Sequence, residues 1–181
     1  LAGGHKVASL DMGGEPPEGA LGFACNVTDG AQVDAAFAAA EEANGPVEVL
    51  VANAGITKDT LILRMGDAEW DAVINVNLTG AFRCAKRATK SMIRGRWGRI
   101  VFTGSVVGLY GSPGQVNYSA SKAALVGMKI WEDDVNAKGG LLGRPVKLIY
   151  YDDQSNPANV PGIYTKLLDV DKVDLVVSGY A

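Results

Sequence analysis

Three side chains in the middle of the chain carry chemistry by type and spacing. Ser105 follows an apolar run at 100–103, Tyr118 stands thirteen residues later and Lys122 four residues after that. The stretch 99–128 reads as a buried strand, a loop rich in Gly and Pro, and a helix starting near Tyr118. The strand is expected to end on Ser105. An i,i+4 pair shares one helix face, so an ammonium at 122 stands beside a phenol at 118. Such a neighbour favours the phenolate and lowers the tyrosine pKa from its ordinary value of about 10. A phenol tuned in this way passes a proton to or from a substrate oxygen near neutral pH, and a serine hydroxyl at the strand end holds that oxygen in place.

The elements that must position these groups are legible on either side. A strand ending at Asp11 covers 5–10, and a second covers 21–27. Thr28 or Asp29 caps a helix whose apolar positions Val33, Phe37 and Ala40 recur at helical spacing. Gly45-Pro46 stops that helix, and 47–52 forms a buried strand. Asp67 is expected to cap a long helix running to about residue 94, with Trp70, Val73, Ile74 and 76–78 facing inward. Strands alternating with helices predict an α/β fold: a doubly wound, mostly parallel Rossmann-like sheet with helices on both faces, in a single three-layer domain.

Ser105, Tyr118 and Lys122, with Asn53-Ala54-Gly55 after an apolar strand and Val76-Asn77-Leu78-Thr79-Gly80 on a helix, resemble the short-chain dehydrogenases/reductases. Within that family the chain is most similar to the 3-oxoacyl-[acyl-carrier-protein] reductases and the acetoacetyl-CoA reductases, over residues 1–129. The resemblance implies NAD(P)H-dependent reduction of a 3-oxoacyl thioester, a reaction of fatty acid synthesis. Tyr118 is then the acid, Lys122 tunes it and holds the ribose, Ser105 positions the carbonyl, and Asn77 supports a proton relay. Cofactor contacts carried over by position are Asp11 at the adenine ribose, Asn26 and Val27 beside the adenine, Asn53, Ala54 and Gly55 along the nicotinamide, and Tyr118 and Lys122. A carboxylate at 11 repels a 2'-phosphate and so favours NAD over NADP. The family places a glycine-rich turn between its first strand and first helix to meet the pyrophosphate. Residues 1–181 show no such turn in that context, which predicts weak or absent activity.

The sequence from 131 to 181 is similar to a second family, the type I periplasmic binding proteins for branched-chain amino acids. Asn136-Ala137-Lys138-Gly139-Gly140-Leu141-Leu142-Gly143-Arg144 and Asp152-Asp153-Gln154-Ser155-Asn156-Pro157 carry that likeness. Strands at 146–151 and 173–177 and a helix at 160–168 follow from the pattern. Leu125, Met128, Trp131 and Val135 keep one apolar helical face across the junction, so a single helix over 118–137 is expected. The chain therefore reads as a chimera: a reductase-like part, 1–129, joined to a binding-protein-like part, 130–181, that completes the same sheet. The strand at 173–177 is expected at the sheet edge or in a central slot. Two other functions accompany this reading, a chimeric scaffold without activity and a partial lobe of a solute-binding protein with Ser178, Gly179 and Tyr180 near a ligand.

Composition bounds the remainder. With 181 residues, 48% hydrophobic and 20% charged, the chain suits one soluble globular domain. A net charge of −3 without a basic cluster argues against a nucleic-acid partner. No apolar run approaches the ~18 residues that span a bilayer, and nothing at the start reads as a signal peptide, so a cytoplasmic location is expected. Cys25 and Cys84 have no metal-type spacing and are expected as buried reduced thiols; no metal is expected. His5 is assigned no chemistry. The reductase resemblance implies tetramers built on helices at 78–91 and 118–131, making a homo-oligomer the expected assembly.

Overall fold

The computed structural model describes residues 4–13, 15–123 and Ala137. Four short strands are present among them: β1 (Ala8–Asp11), β2 (Leu21–Ala24), β3 (Val49–Ala52) and β4 (Arg99–Phe102). The first three are shorter than their apolar runs, residues 5–7, 25–27 and 47–48 not being strand, and β4 is shifted one residue towards the N-terminus of its run. The strands form two parallel pairs, β1 with β2 and β3 with β4, in register Ser9 to Gly22 and Val51 to Val101. The single continuous sheet expected from the sequence is therefore seen as two halves within the described residues.

Helix α1 (Gly30–Asn44) joins the pairs. Asp29 is its cap, with Oδ1 accepting from the N–H groups of Ala31 and Gln32. Those bonds hold the Asp29 carboxyl below the usual carboxylate range. Val33, Ala36, Phe37 and Ala40 are buried at the spacing read from the sequence, and Gly45 ends the helix at φ 92°. In the left-handed region glycine alone pays no Cβ penalty.

The long helix is broken into parts. Helix α2 (Asp67–Ile74) passes into a π-helical turn (Asn75–Gly80), and α3 (Ala81–Gly95) follows without a gap. Its cap is Gly66 rather than Asp67, and the Glu69 carboxylate accepts from the Gly66 N–H at 3.0 Å. Trp70 and Leu78 are partly exposed, so only Val73 and Asn77 of the expected inward set are buried. The hydrophobic period of 3.6 slips at the π turn, which carries an extra residue per turn.

One core cluster joins everything on this side of the strands. Val33, Ala36 and Phe37 of α1 meet Cys84, Ala88 and Met92 of α3, and Leu10, Phe23, Leu50 and Ile100 of all four strands pack against them. Arg87 clamps the two helices, bonding Glu41 at 2.6 Å and lying 3.4 Å from Asp34, with its guanidinium over the Phe37 ring. Ser91 donates to the same Glu41 carboxylate. Cys25 and Cys84 are free and buried in this cluster, as expected.

Phe23 packs toward α1, so Gly22 points to the opposite face, where a Cβ on it would lie 3.1 Å from Pro16. Among the described residues the two strand pairs are separate sheets, with α1 joining β2 to β3. After β4 come α4 (Val107–Tyr110) and α5 (Val116–Lys122). The expected strands at 146–151 and 173–177, the helix at 160–168 and the continuation of α5 past Ala123 lie outside the described residues.

Candidate functional site

The loop residues singled out in the sequence fall at the carboxyl ends of the parallel strands, while Asn77 lies in the π turn and Tyr118 and Lys122 lie on α5. Asp11 ends β1, Asn26 and Val27 follow β2, Asn53 to Gly55 follow β3, and Ser105 follows β4. In open α/β folds this rim, where the winding reverses, is where ligands bind. Asp11 stands at this rim on the β1–β2 pair and Asn53-Ala54-Gly55 on the β3–β4 pair.

Around Lys122 the groups converge. Its Nζ donates to the Thr103 carbonyl at 2.7 Å and lies 5.6 Å from the centroid of the Tyr118 ring. The helix spacing has done what it was expected to do. Lys122 is 6% exposed, and burial, which penalises the ammonium, lowers its pKa to about 8. It therefore remains charged at pH 7 while sitting close to neutrality. A Cβ on Gly55 would lie 3.5 Å from Asn77 Oδ1 and 3.7 Å from Lys122 Nζ. The backbone after β3 thus passes directly over both side chains, leaving an open rim at 53–59.

Asn77 sits in the π turn, 7% exposed. Its Oδ1 accepts from the Ile56 N–H at 2.8 Å, and its Nδ2 donates to the Ile56 carbonyl at 3.0 Å and to Ser121 Oγ at 3.1 Å. One carboxamide therefore ties the β3 loop to α5. Gly80 closes the same turn against Val27, where an added Cβ would come within 2.7 Å of Cγ2. Asn53 joins the neighbouring strand end by accepting from Thr103 Oγ1 at 2.7 Å.

Ser105 differs from its expected place. Strand β4 stops at Phe102, and Ser105 stands three residues beyond it, in the turn that opens α4, where its Oγ accepts from the Val107 N–H at 3.3 Å. The Pro- and Gly-rich loop holds this one-turn helix, and α5 starts at Val116 rather than at Tyr118. Asp11 and Asn26 belong to the other half of the rim. Asp11 accepts from the Gly13 N–H at 3.0 Å and lines a cleft of 360 Å³ with Ser9, Glu15, Pro16 and Phe23. Asn26 caps its own turn by accepting from the Thr28 N–H and hydroxyl. Neither bonds to the Lys122 group. Ser178, Gly179 and Tyr180 lie outside the described residues.

Sequence reasoning missed Thr103, Asn117 and Ser121. Asn117 is 0% exposed and Ser121 is 3% exposed, and both bond the backbone of Tyr118. The signal available was an Asn in the first turn of a helix, a residue type that seeks unpaired N–H groups there. Among the described residues no group of His, Cys, Asp or Glu could hold a metal ion, and no helix is long and apolar enough to cross a membrane.

Comparison with known proteins matches this geometry. Residues 7–138 match the short chain dehydrogenase family, and residues 105–181 match the periplasmic binding protein family. The two matches overlap at 105–138, bracketing the junction read near residues 129–131. The 3-oxoacyl-[acyl-carrier-protein] reductase MabA of Mycobacterium tuberculosis (strain ATCC 25618 / H37Rv) is 53% identical over 127 residues, covering 70% of this chain and 51% of that protein. MabA of Mycobacterium avium is 46% identical over 154 residues, covering 85% of this chain and 60% of that protein. The 3-oxoacyl-[acyl-carrier-protein] reductase FabG of Thermotoga maritima is 44% identical over 140 residues, covering 75% and 57%. The chain thus spans about half the length of the curated relatives it matches. With the family match running from β1 through the Tyr118–Lys122 helix and the strand-end rim in place, the chain belongs to the short chain dehydrogenase family.

Proposed function

We propose that residues 1–129 carry the proton-transfer site of a nicotinamide-dependent reductase acting on a 3-oxoacyl thioester, with Tyr118 as the acid. The observation that supports this most is the convergence of Lys122, Tyr118, Asn77 and Gly55 at one strand-end rim, built from three separate stretches of chain. A nicotinamide fits the residues present. Gly55 leaves space where a Cβ would face Asn77 and Lys122, and the exposed Asn53-Ala54-Gly55 edge offers backbone groups to a flat ring. Asp11, in the cleft at the end of β1, suits the adenine ribose hydroxyls and favours NAD over NADP, with Asn26 and Val27 beside the adenine.

When bound in its reduced form, the nicotinamide supplies a hydride to the carbonyl carbon. The chain's own residues manage the proton. Tyr118 gives its hydroxyl proton to the carbonyl oxygen, yielding a 3-hydroxyacyl product. Ser105, whose Oγ already accepts from Val107, donates its hydroxyl hydrogen to the same oxygen and orients it. Lys122, charged below about pH 8, stabilises the tyrosinate left behind, and Asn77 fixes the β3 loop against the helix bearing both groups.

Turnover by this chain is expected to be weak. Among the described residues, the turn from β2 into α1 contains no glycine before Gly30, and Gly104 to Gly108 opens only the one-turn α4. A second reading, a joined scaffold or a partial solute-binding lobe, draws on the match of residues 105–181 to the periplasmic binding proteins. Titration of the 181-residue chain with NADH and NADPH, followed by nicotinamide fluorescence, separates these readings. Saturable binding tighter for NADH is expected, with turnover of a 3-oxoacyl thioester that falls at least about 100-fold in Tyr118→Phe while binding persists. No binding at millimolar cofactor, or full turnover in Tyr118→Phe, overturns the proposal.

A further inference from the structure

We propose that Asn117 and Ser121 are positioning residues that grip Tyr118 by its own peptide groups and so set where its phenol stands against Lys122. The inference rests on the reading of Tyr118 as the acid. Tyr118 is the third residue of α5, so its N–H is one of the first-turn donors with no acceptor inside the helix. The residue at the cap, Gln115, makes no side-chain capping bond. Asn117 takes that duty instead, its Oδ1 accepting from the Tyr118 N–H at 2.8 Å. Its two amide hydrogens go to the carbonyls of Lys58 at 3.0 Å and Glu69 at 3.3 Å.

The carbonyl of Tyr118 is gripped from the other side. Ser121 Oγ donates to it at 2.7 Å and accepts from Asn77 Nδ2 at 3.1 Å. Capping needs only an acceptor for the N–H, and a serine bond to the carbonyl one turn back is common in helices. What ordinary capping does not require is the continuation of both chains of bonds. One runs on to the loop after β3 and the first turn of α2, and the other to the π turn. These are the elements that present Gly55 and Asn77 to Lys122. These bonds attach the first turns of α5 to the β3 loop, α2 and the π turn.

The test uses the 181-residue chain labelled with carbon-13 at the tyrosine ring ζ position, with the Tyr118 signal assigned through Tyr118→Phe. Asn117→Asp keeps the acceptor for the Tyr118 N–H and removes both donors, and Ser121→Ala removes one hydroxyl. Both variants are expected to move the Tyr118 titration midpoint up, toward the ordinary phenol, and to weaken the Overhauser contacts between its ring and the Lys122 side chain. Lowered thermal stability with an unmoved midpoint and intact contacts shows a merely structural role and overturns the inference. A wild-type Tyr118 that titrates as an ordinary phenol overturns the proton-transfer reading instead, and the ring-to-Lys122 contacts then decide the grip alone. Should Asn117→Asp fail to fold, the milder Ser121→Ala gives the same two readouts.

Discussion

Burying Lys122 costs the fold stability that a neutral side chain of similar length would return. Its pKa falls from 10.5 to about 8, with desolvation as the cause. Each pH unit of such a shift is worth about 1.4 kcal/mol. At pH 7 the unfolded chain binds this proton more tightly than the folded chain does, so the charge opposes folding by about 3 kcal/mol. As pH rises from about 8 toward 10.5 the folded state has lost the proton and the unfolded state still holds it, and stability rises through that window. By pH 10 about 2.5 kcal/mol of the cost is recovered. Lys122→Met removes the charge but also the bond to the Thr103 carbonyl, a loss of about 1–2 kcal/mol. The variant should therefore be more stable than wild type by about 1–2 kcal/mol at pH 7 and less stable at pH 10. Urea unfolding at both pH values measures the two differences. A constant difference, or a variant that is less stable at both, refutes the account of Lys122 as a charge held against its solvation.

Two further outcomes follow from packing. A Cβ on Gly108 would sit 2.5 Å from the carbonyl carbon of Lys122 and 2.7 Å from the Ala123 nitrogen; these are backbone atoms that cannot rotate aside, so Gly108→Ala should cost about 1–3 kcal/mol, and unchanged urea unfolding would sink that estimate. On β3, Glu48 and Ala52 accept from β4, so by alternation Val49 and Val51 turn their N–H groups to the edge away from β4. If residues 130–181 complete one sheet with the two pairs, as we propose, those two amides should exchange slowly at every protein concentration, and fast exchange would remove that arrangement.

How much the sequence disclosed depended on whether a feature was local. Asp29, Gly45 and the Val33, Phe37 and Ala40 face are local matters of cap and period, and α1 follows them closely. Tyr118 and Lys122 share a helix face because their spacing requires it, and the Cα positions alone settle that. The π turn escaped notice, because Asn75 to Gly80 carries nothing that ordinary helical periodicity distinguishes. Its cause is tertiary: Asn77 bonds a loop 21 residues away in sequence, and Gly80 lets Val27 approach. Trp70 was read as core because it is large and apolar; 38% of it remains exposed. Asn117, unlike Asn77, is not singled out by any motif, since its partners Lys58 and Glu69 are brought to it only by the fold.

The two strand pairs divide the candidate site into two parts that different residues govern. Among the described residues, Thr103, Asn117 and Ser121 bond Lys122 or the backbone of Tyr118, and Asn53, Ile56 and Asn77 bond those partners or one another, all on the β3–β4 half. Asp11, Asn26 and the cleft beside β1 belong to the β1–β2 half, which meets the first through the core of α1 and α3 and through Val27 against Gly80. Hydrogen bonds fix a proton donor to within a few tenths of an ångström, whereas a core fixes only the spacing of the layers. Substitutions at Asp11 should therefore change which dinucleotide binds and leave the Tyr118 ionisation alone, while substitutions at Asn77 should disturb the tyrosine and leave the adenine end alone. The division suits a reaction in which one end of a long cofactor provides affinity and the other must meet a phenol at a fixed distance.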